Sequence, residues 1–395
     1  MKTILLFLST FLFPLSAVAD GGVGGFLRRV GAFIDTMSVS GVDSNYIQAP
    51  KQPWQIILQG DINQVDTRLE ADFDGATMFD ETWGTLHWRP RILSDVISHS
   101  GVWVGYRGYG VGYSRQLSGG NRSSLLKFGA TGGAYGVNLR IHNFRTSEPS
   151  VRVYGYMPEL EDTTQPYDLS DPIRIRLLTL DAYYLFNGRR FSYAAAYDQS
   201  VIQRRSSGSF MAGAMYYHST ISYAKGLNAD FIMFMNDIGK MKQYQVSLGG
   251  GYAYNYVPCR GLLVSGMAMM MFTAYNRLDL WRYDSLLREF SIDMRQNPEA
   301  YGGYDEDTDD DDDDEDLDPE TKQLLFSIFP MEGKEHTVHH SSIIPVIDAR
   351  LSVTYNAGRW FFNANAQLHN FSFNHTDIGG SLTNWYVNAS IGVRL

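Results

Sequence analysis

The stretch EHTVHH, Glu335 to His340, gathers His336, His339 and His340, and imidazoles are ligands for Zn²⁺ or Cu²⁺. Upstream, twelve of the fourteen residues from Asp305 to Asp318 are acidic. Among them Asp309, Asp311 and Asp313 offer carboxylate oxygens suited to a divalent cation such as Ca²⁺. A Ca²⁺ loop spaces its ligands and turns on a glycine, whereas Asp309 to Asp314 are contiguous. The run therefore reads as a solvated, self-repelling loop, and the histidines as a loop cluster without a scaffold.

Nucleophilic chemistry has a weaker footing. YHST, Tyr217 to Thr220, sets His218 beside Ser219. Adjacent residues on a strand point to opposite faces, so these two cannot pair directly. A serine hydrolase needs the base within hydrogen-bond reach and a third group to orient it, and no spacing in the sequence supplies all three. QRRSSGS, Gln203 to Ser209, carries Arg204 and Arg205 where two strands join; paired arginines can hold a phosphate, but here they read as a solvated turn. GYRGYGVGYSRQL repeats glycine at positions 105, 108, 110 and 112 with no helix after it. That excludes a nucleotide loop and fits a strand whose glycines relieve crowding at a curved wall. No catalytic residue and no cofactor is assigned.

The elements that carry these residues alternate with a period of two. In PVIDARLSVTYN, Ile347, Ala349, Leu351, Val353 and Tyr355 share one face, and Asp348, Arg350, Ser352, Thr354 and Asn356 the other. The same holds for KQYQVSLGGGYAYNYV, RWFFNANAQLHN and the terminal NWYVNASIGVRL. About twelve such strands, with a range of about 10 to 14, have the length of tilted membrane-spanning strands. They centre on Ile57, His87, Tyr109, Phe128, Thr179, Ala195, Met215, Gly250, Met267, Leu351, Asn365 and Ala389. Asn187 to Arg189, Val257 to Gly261 and Asn356 to Arg359 read as tight antiparallel turns.

The polar faces carry Asn, Gln, Ser, Thr and Gly, where a soluble sandwich would carry Lys and Glu. The apolar faces are bounded by Trp and Tyr. This is the pattern of an antiparallel transmembrane β-barrel with lipid outside and a packed or wet lumen. Asp348, Arg350, Asn363, Asn365, Gln367, His369, Asn388 and Arg394 are expected to face that lumen. Bulky residues on the polar faces, Phe361 and Tyr386 among them, argue for filling.

Composition agrees. MKTILLFLSTFLFPLSAVAD reads as a secretory signal peptide over residues 1–19. Residues 20–53 follow as a periplasmic segment with a short amphipathic helix spaced by Phe26, Val30, Phe33, Ile34 and Met37. The barrel then occupies 54–395, with an acidic loop insertion at about 276–342. Cys259 is the single cysteine, so no intramolecular disulfide framework exists. The net charge of −10 comes from the acidic run, and the near-neutral remainder lacks the basic surface that nucleic-acid binding needs. Expected partners are outer-membrane lipid and lipopolysaccharide, the barrel-assembly machinery, and a divalent cation at most on the acidic loop.

Five stretches carry a resemblance: IDTMSVSGVDSNYIQAPKQPW, VGYRGYGVGYSRQL, LDAYYLFNGRRFSYAAAYDQSVIQRRSSGSFMAG, GGGYAYNYVPCRG and YNAGRWFF. In that order they are similar to an uncharacterised family of Bacteroidetes outer-membrane proteins, domain of unknown function 4421. The resemblance implies an outer-membrane β-barrel with no assigned activity and no catalytic residues to carry over. The acidic run is outside the pattern.

Overall fold

The computed structural model describes residues 41–74, 85–94, 96–117, 123–146, 150–154, 163–166, 169, 172–222, 238–282, 335–340, 344–374 and 379–395. The signal peptide expected over residues 1–19, the helix expected near Phe26 to Met37, and the acidic run with Asp309, Asp311 and Asp313 lie outside the described residues.

In chain order come β1 (Ile47–Gln48), β2 (Trp54–Asp74), β3 (Thr85–Leu93), β4 (Ile97–Tyr106), β5 (Tyr109–Gln116), β6 (Ser124–Thr131), β7 (Tyr135–Thr146), β8 (Ser150–Tyr154), β9 (Thr163–Pro166) and β10 (Ile173–Leu185). Then follow the helix α1 (Tyr193–Tyr197), β11 (Ile202–Gln203), β12 (Ser207–Ser222), β13 (Ile238–Cys259) and β14 (Leu262–Arg282). The chain finishes with β15 (Glu335–His340), β16 (Pro345–Ala357), β17 (Trp360–Asn374) and β18 (Gly379–Arg394).

At mid-height the ring consists of β2, β4, β5, β6, β7, β10, β12, β13, β14, β16, β17 and β18, twelve strands in antiparallel order. The last closes on the first, with Ala389 opposite Gly60. Leu395 N donates to Trp54 O at 2.8 Å, and Trp54 N donates to Leu395 O at 3.2 Å, so the terminal alternation is the barrel's closing seam. Higher up, β3 and β15 pair with β2 and β14 above β4 and β16, and β3 meets β8 over the short β5–β6 hairpin. The segment from Thr146 to Pro172 contains the extra β8–β9 hairpin.

Turns at the end carrying Trp54 and Leu395 are tight. Gly108 and Gly261 both take φ of 90°, the left-handed conformation that short hairpin turns demand and glycine adopts without strain. Connections at the opposite end are longer, 223–237 and 283–334 among them.

Several sequence expectations are corrected. Ala195 is not the centre of a strand but lies in α1. Ser192 caps this helix by accepting from Ala195 N at 3.1 Å, and the consecutive Ala194, Ala195 and Ala196 favour helix over strand. The turn at Asn187 to Arg189 accordingly leads inward to this helix and not into a returning strand. The ring gains instead β7, whose Arg140 and His142 alternate with Leu139 and Ile141 and which the sequence reading left within a connection. The expectation also counts His87, whose strand β3 stands above the ring, and takes β4 and β5 as a single strand about Tyr109; two strands too many and two too few leave the expected number equal to the ring's. Finally, the loop assigned to about 276–342 is strand at both ends, through β14 to Arg282 and through β15.

Outward positions are apolar: Leu351, Val353 and Tyr355 are exposed on β16, and Tyr252, Tyr254 and Tyr256 on β13. Inward positions split into two levels. Toward the termini they are polar. Away from the termini they form one apolar core including Val65, Leu69, Phe144, Ile175, Met241 and Phe371, with Met267, Met269 and Met271 at its lower edge. The inner face is therefore not polar throughout, as the alternation had suggested.

Candidate functional site

Arg350 is the hub of a polar belt across the interior. Its Nε and Nη2 donate to the two Asp348 oxygens at 3.1 and 2.8 Å, a bidentate contact two residues away on the same face of β16. Its Nη1 reaches the hydroxyls of Tyr183 on β10 and Tyr193 on α1, both at 2.7 Å, and Nη2 lies 3.0 Å from Asp181. Asp181 also accepts from Asn138 at 2.8 Å. Arg140 donates to His369 Nε2 at 2.7 Å, which leaves the imidazole proton on Nδ1, 3.5 Å from Asp348.

A second cluster sits beside it. Lys127 Nζ donates to Asp61 at 2.8 Å, and Asn388 and Ser114 donate to the same carboxylate at 2.6 and 2.9 Å. The Tyr386 hydroxyl bonds Asp61 and receives the Lys127 ammonium. Across the two clusters three acids, Asp61, Asp181 and Asp348, face three bases, Lys127, Arg140 and Arg350. The charges cancel, so the belt ties strands together and attracts neither cation nor anion from solution.

Below the belt, the connection 186–206 turns into the barrel mouth. The Ala196 carbonyl accepts from Ser352 at 2.6 Å and Asn363 at 3.1 Å, and the Gln199 carbonyl accepts from Arg394 at 2.8 Å. Gln55 donates to Asp198 O at 2.7 Å, and Thr131 bonds the Asp198 carboxylate. β1 pairs with β11, pinning the segment before the barrel to this plug. Between plug and belt a cavity of about 120 Å³ remains, lined by Lys127, Arg140, Asn365, Gln367, Tyr386 and Asn388. It has room for several waters.

Of the eight residues expected in the lumen, Asp348, Arg350, Asn363, His369, Asn388 and Arg394 are buried in the interior, and Asn365 and Gln367 line the cavity. The histidine cluster does not converge. His336, His339 and His340 lie on β15, where His336 and His340 are exposed on one face and His339 belongs to the other. His336 stacks on Trp281 at 4.6 Å, and His340 meets Tyr275 edge-on at 6.0 Å. Among the described residues no three His, Cys, Asp or Glu side chains are grouped to hold a metal. His218 stacks on Tyr244 at 4.4 Å while Ser219 is buried behind it, so the two remain apart. Arg205 lies over the Tyr46 ring at 5.8 Å in the turn before β12.

Sequence reasoning missed a serine that does meet imidazoles. Ser123 Oγ lies 2.8 Å from His99 Nε2 and 3.1 Å from His142 Nε2, and Asn63 Nδ2 lies 3.4 Å from His142 Nδ1. The four residues are spread from β2 to β7, and no spacing along the chain links them. The set has the members of a nucleophile, base and orienting group. Yet Ser123 donates to the Asn143 carbonyl at 3.1 Å, and the space beside His142 is about 20 Å³, room for about one water. No substrate carbonyl fits there, and the set works as a buried hydrogen-bond network.

The glycine repeat has a specific cause. A Cβ on Gly110 would lie 2.5 Å from the Trp103 ring and one on Gly112 2.7 Å from it. The glycines give Trp103 its place inside the wall.

Residues 96–394 match the family described as Domain of unknown function (DUF4421), and the chain belongs to that family. No curated protein sequence matches it. Among solved structures it is similar to the outer membrane protease OmpT from Escherichia coli, at 9% identity and a TM-score of 0.34, over 87% of this chain and 97% of that one. It is also similar to the translocator domain of the autotransporter NalP from Neisseria meningitidis, at 8% identity and a TM-score of 0.31, over 93% and 96%. The beta domain of the Bordetella autotransporter BrkA matches at 10% identity and a TM-score of 0.29, over 86% and 99%.

Proposed function

We propose that this protein is an outer-membrane barrel closed by its own chain, with a binding or envelope-structural role. The observation that carries the reading is the plug, α1 and the residues just after it, whose Ala196 and Gln199 carbonyls are held by three strands, beneath a belt that Arg350 ties across the lumen. Location rests on the apolar outer face, the polar belt within, and the tight turns at the terminal end, which in such barrels faces the periplasm. The family resemblance adds a Bacteroidetes envelope as the setting.

A small-solute channel is the second reading, favoured by the 120 Å³ cavity between plug and belt. Liposome swelling separates the two: proteoliposomes of the closed barrel shrink in small sugars as protein-free liposomes do, whereas a channel lets them re-swell. The enzyme reading comes third. Release of fatty acid from native lipids that stops in Ser123→Ala would install it in place of a structural role.

A further inference from the structure

We propose that the outer wall carries a site for the phosphates of lipid A, formed by a row of cations across β7, β10, β12 and β13. The strand register builds the row. Arg145 pairs with Arg174, Arg174 with Ser222, and Ser222 with Lys240; one step below, Arg176 pairs with Thr220, and Thr220 with Lys242. The side chains lie on the outward face, because their neighbours Phe144, Ile173, Ile175, Ile221 and Met241 are buried inward. Five cations and two hydroxyls therefore share one surface at nearly one height.

Among the described residues the nearest counter-charge is Asp279, which is already paired. Among the described residues none of the five makes an ion pair. Arg176 spends one donor on Asn143 at 2.9 Å. Asp279 stands opposite Lys242 but is held by Arg277 at 2.6 and 3.0 Å. Lys240 and Lys242 lie over the Trp281 ring at 4.7 and 5.0 Å, an aromatic of the kind that sits at a membrane interface.

The height of the row selects the partner. Down the outward face of β10, Arg174 and Arg176 give way to Leu178 and Leu180, then to exposed Tyr184 and Phe186. From Arg174 to Tyr184 is about 33 Å along the strand at ~3.3 Å per residue, and roughly 25 Å along the membrane normal at a tilt of about 40°. The apolar band is about 25 Å tall in such barrels, so the cations stand at the headgroup level of the leaflet away from the termini. In the orientation proposed above, that leaflet is the outer one. Arginine and lysine there match phosphate oxygens on a glycolipid.

The test uses the full-length protein refolded in detergent, with bisphosphorylated lipid A as probe and melting temperature and native mass spectrometry as readouts. Lipid A should raise the melting temperature and remain bound; fully dephosphorylated lipid A should bind at least tenfold more weakly. Arg174→Gln/Arg176→Gln/Lys240→Gln should lose the same factor, while Arg204→Gln at the opposite end keeps it. Heat-dependent gel migration verifies that each variant is folded; if the triple variant is not, Lys240→Gln/Lys242→Gln carries the comparison. Equal binding of dephosphorylated lipid A, or unchanged binding by the folded variants, overturns the site. A shift reproduced by inorganic phosphate alone overturns the lipid assignment. The site rests on the outer-membrane reading, which cell fractionation checks separately, so the two can fail independently.

Discussion

Arg350 on β16 and Tyr183 on β10 meet across the barrel, guanidinium to hydroxyl at 2.7 Å. These strands are separated in the ring by β12, β13 and β14, so the contact spans the lumen. Removing one partner of a buried ion network leaves the other charge uncompensated, at about 3–5 kcal/mol. Arg350→Met should therefore cost about that much in denaturant unfolding, because Asp181 and Asp348 lose their shared cation. Replacing Arg350, Asp181 and Asp348 together with apolar residues of similar volume should cost less than the single change. A triple variant weaker than Arg350→Met would show that the belt is not the cross-tie described.

The Ala196 carbonyl is one of the points at which the plug is docked. Ser352→Ala/Asn363→Ala removes two hydrogen bonds from the wall to Ala196 O, at 2.6 and 3.1 Å, a loss of about 1–3 kcal/mol. The expected outcome is intermittent current in a barrel whose ring stays folded. Continued silence with unchanged protection of the α1 amides would mean that other contacts hold the plug.

Docking should also respond to pH. The Asp198 carboxyl lies in the connection, not in a spanning strand, and burial pushes it up to about 6 against the opposing hydrogen bonds of Ser200 and Thr131. An acid raised above its ordinary value of 3.8 favours the docked segment when protonated. Docking is therefore strongest below about pH 4 and weakens as pH rises through 6. Hydrogen exchange at residues 193–200, corrected for intrinsic rate, should show greater protection at pH 5 than at pH 7.5, and Asp198→Asn should abolish the difference. Equal protection in the wild type would contradict this.

Gly110→Ala places a Cβ against Trp103, and overpacking of this kind costs about 1–3 kcal/mol. Trp103→Ala in the same chain should recover part of the loss. If the double variant is no more stable than the sum of the single effects, the glycine serves the backbone and not the ring.

Alternation was readable where the two faces of a strand differ. In 347–355, Arg350, Ser352 and Thr354 stand against Leu351, Val353 and Tyr355, and one strand discloses which side meets lipid. In 267–272 it fails. Met267, Met269 and Met271 point inward, Met270 and Phe272 outward, and both faces are apolar. Hence the apolar core of the upper lumen was invisible from sequence. Helix α1 was hidden for another reason: Tyr193, Ala195 and Tyr197 alternate with small residues as a strand does, and only Ser192 marks a cap. The Ser123 network depends on β7, and the alternation of Arg140 and His142 with Leu139 and Ile141 does not disclose which strands lie beside it.

Planar-bilayer recording is the most direct measurement of the closed lumen. Purified wild-type protein is predicted to give no steady current, and a variant with residues 190–203 replaced by a short Gly-Ser link a persistent one. Steady, ion-selective current of equal size from both proteins would contradict the account.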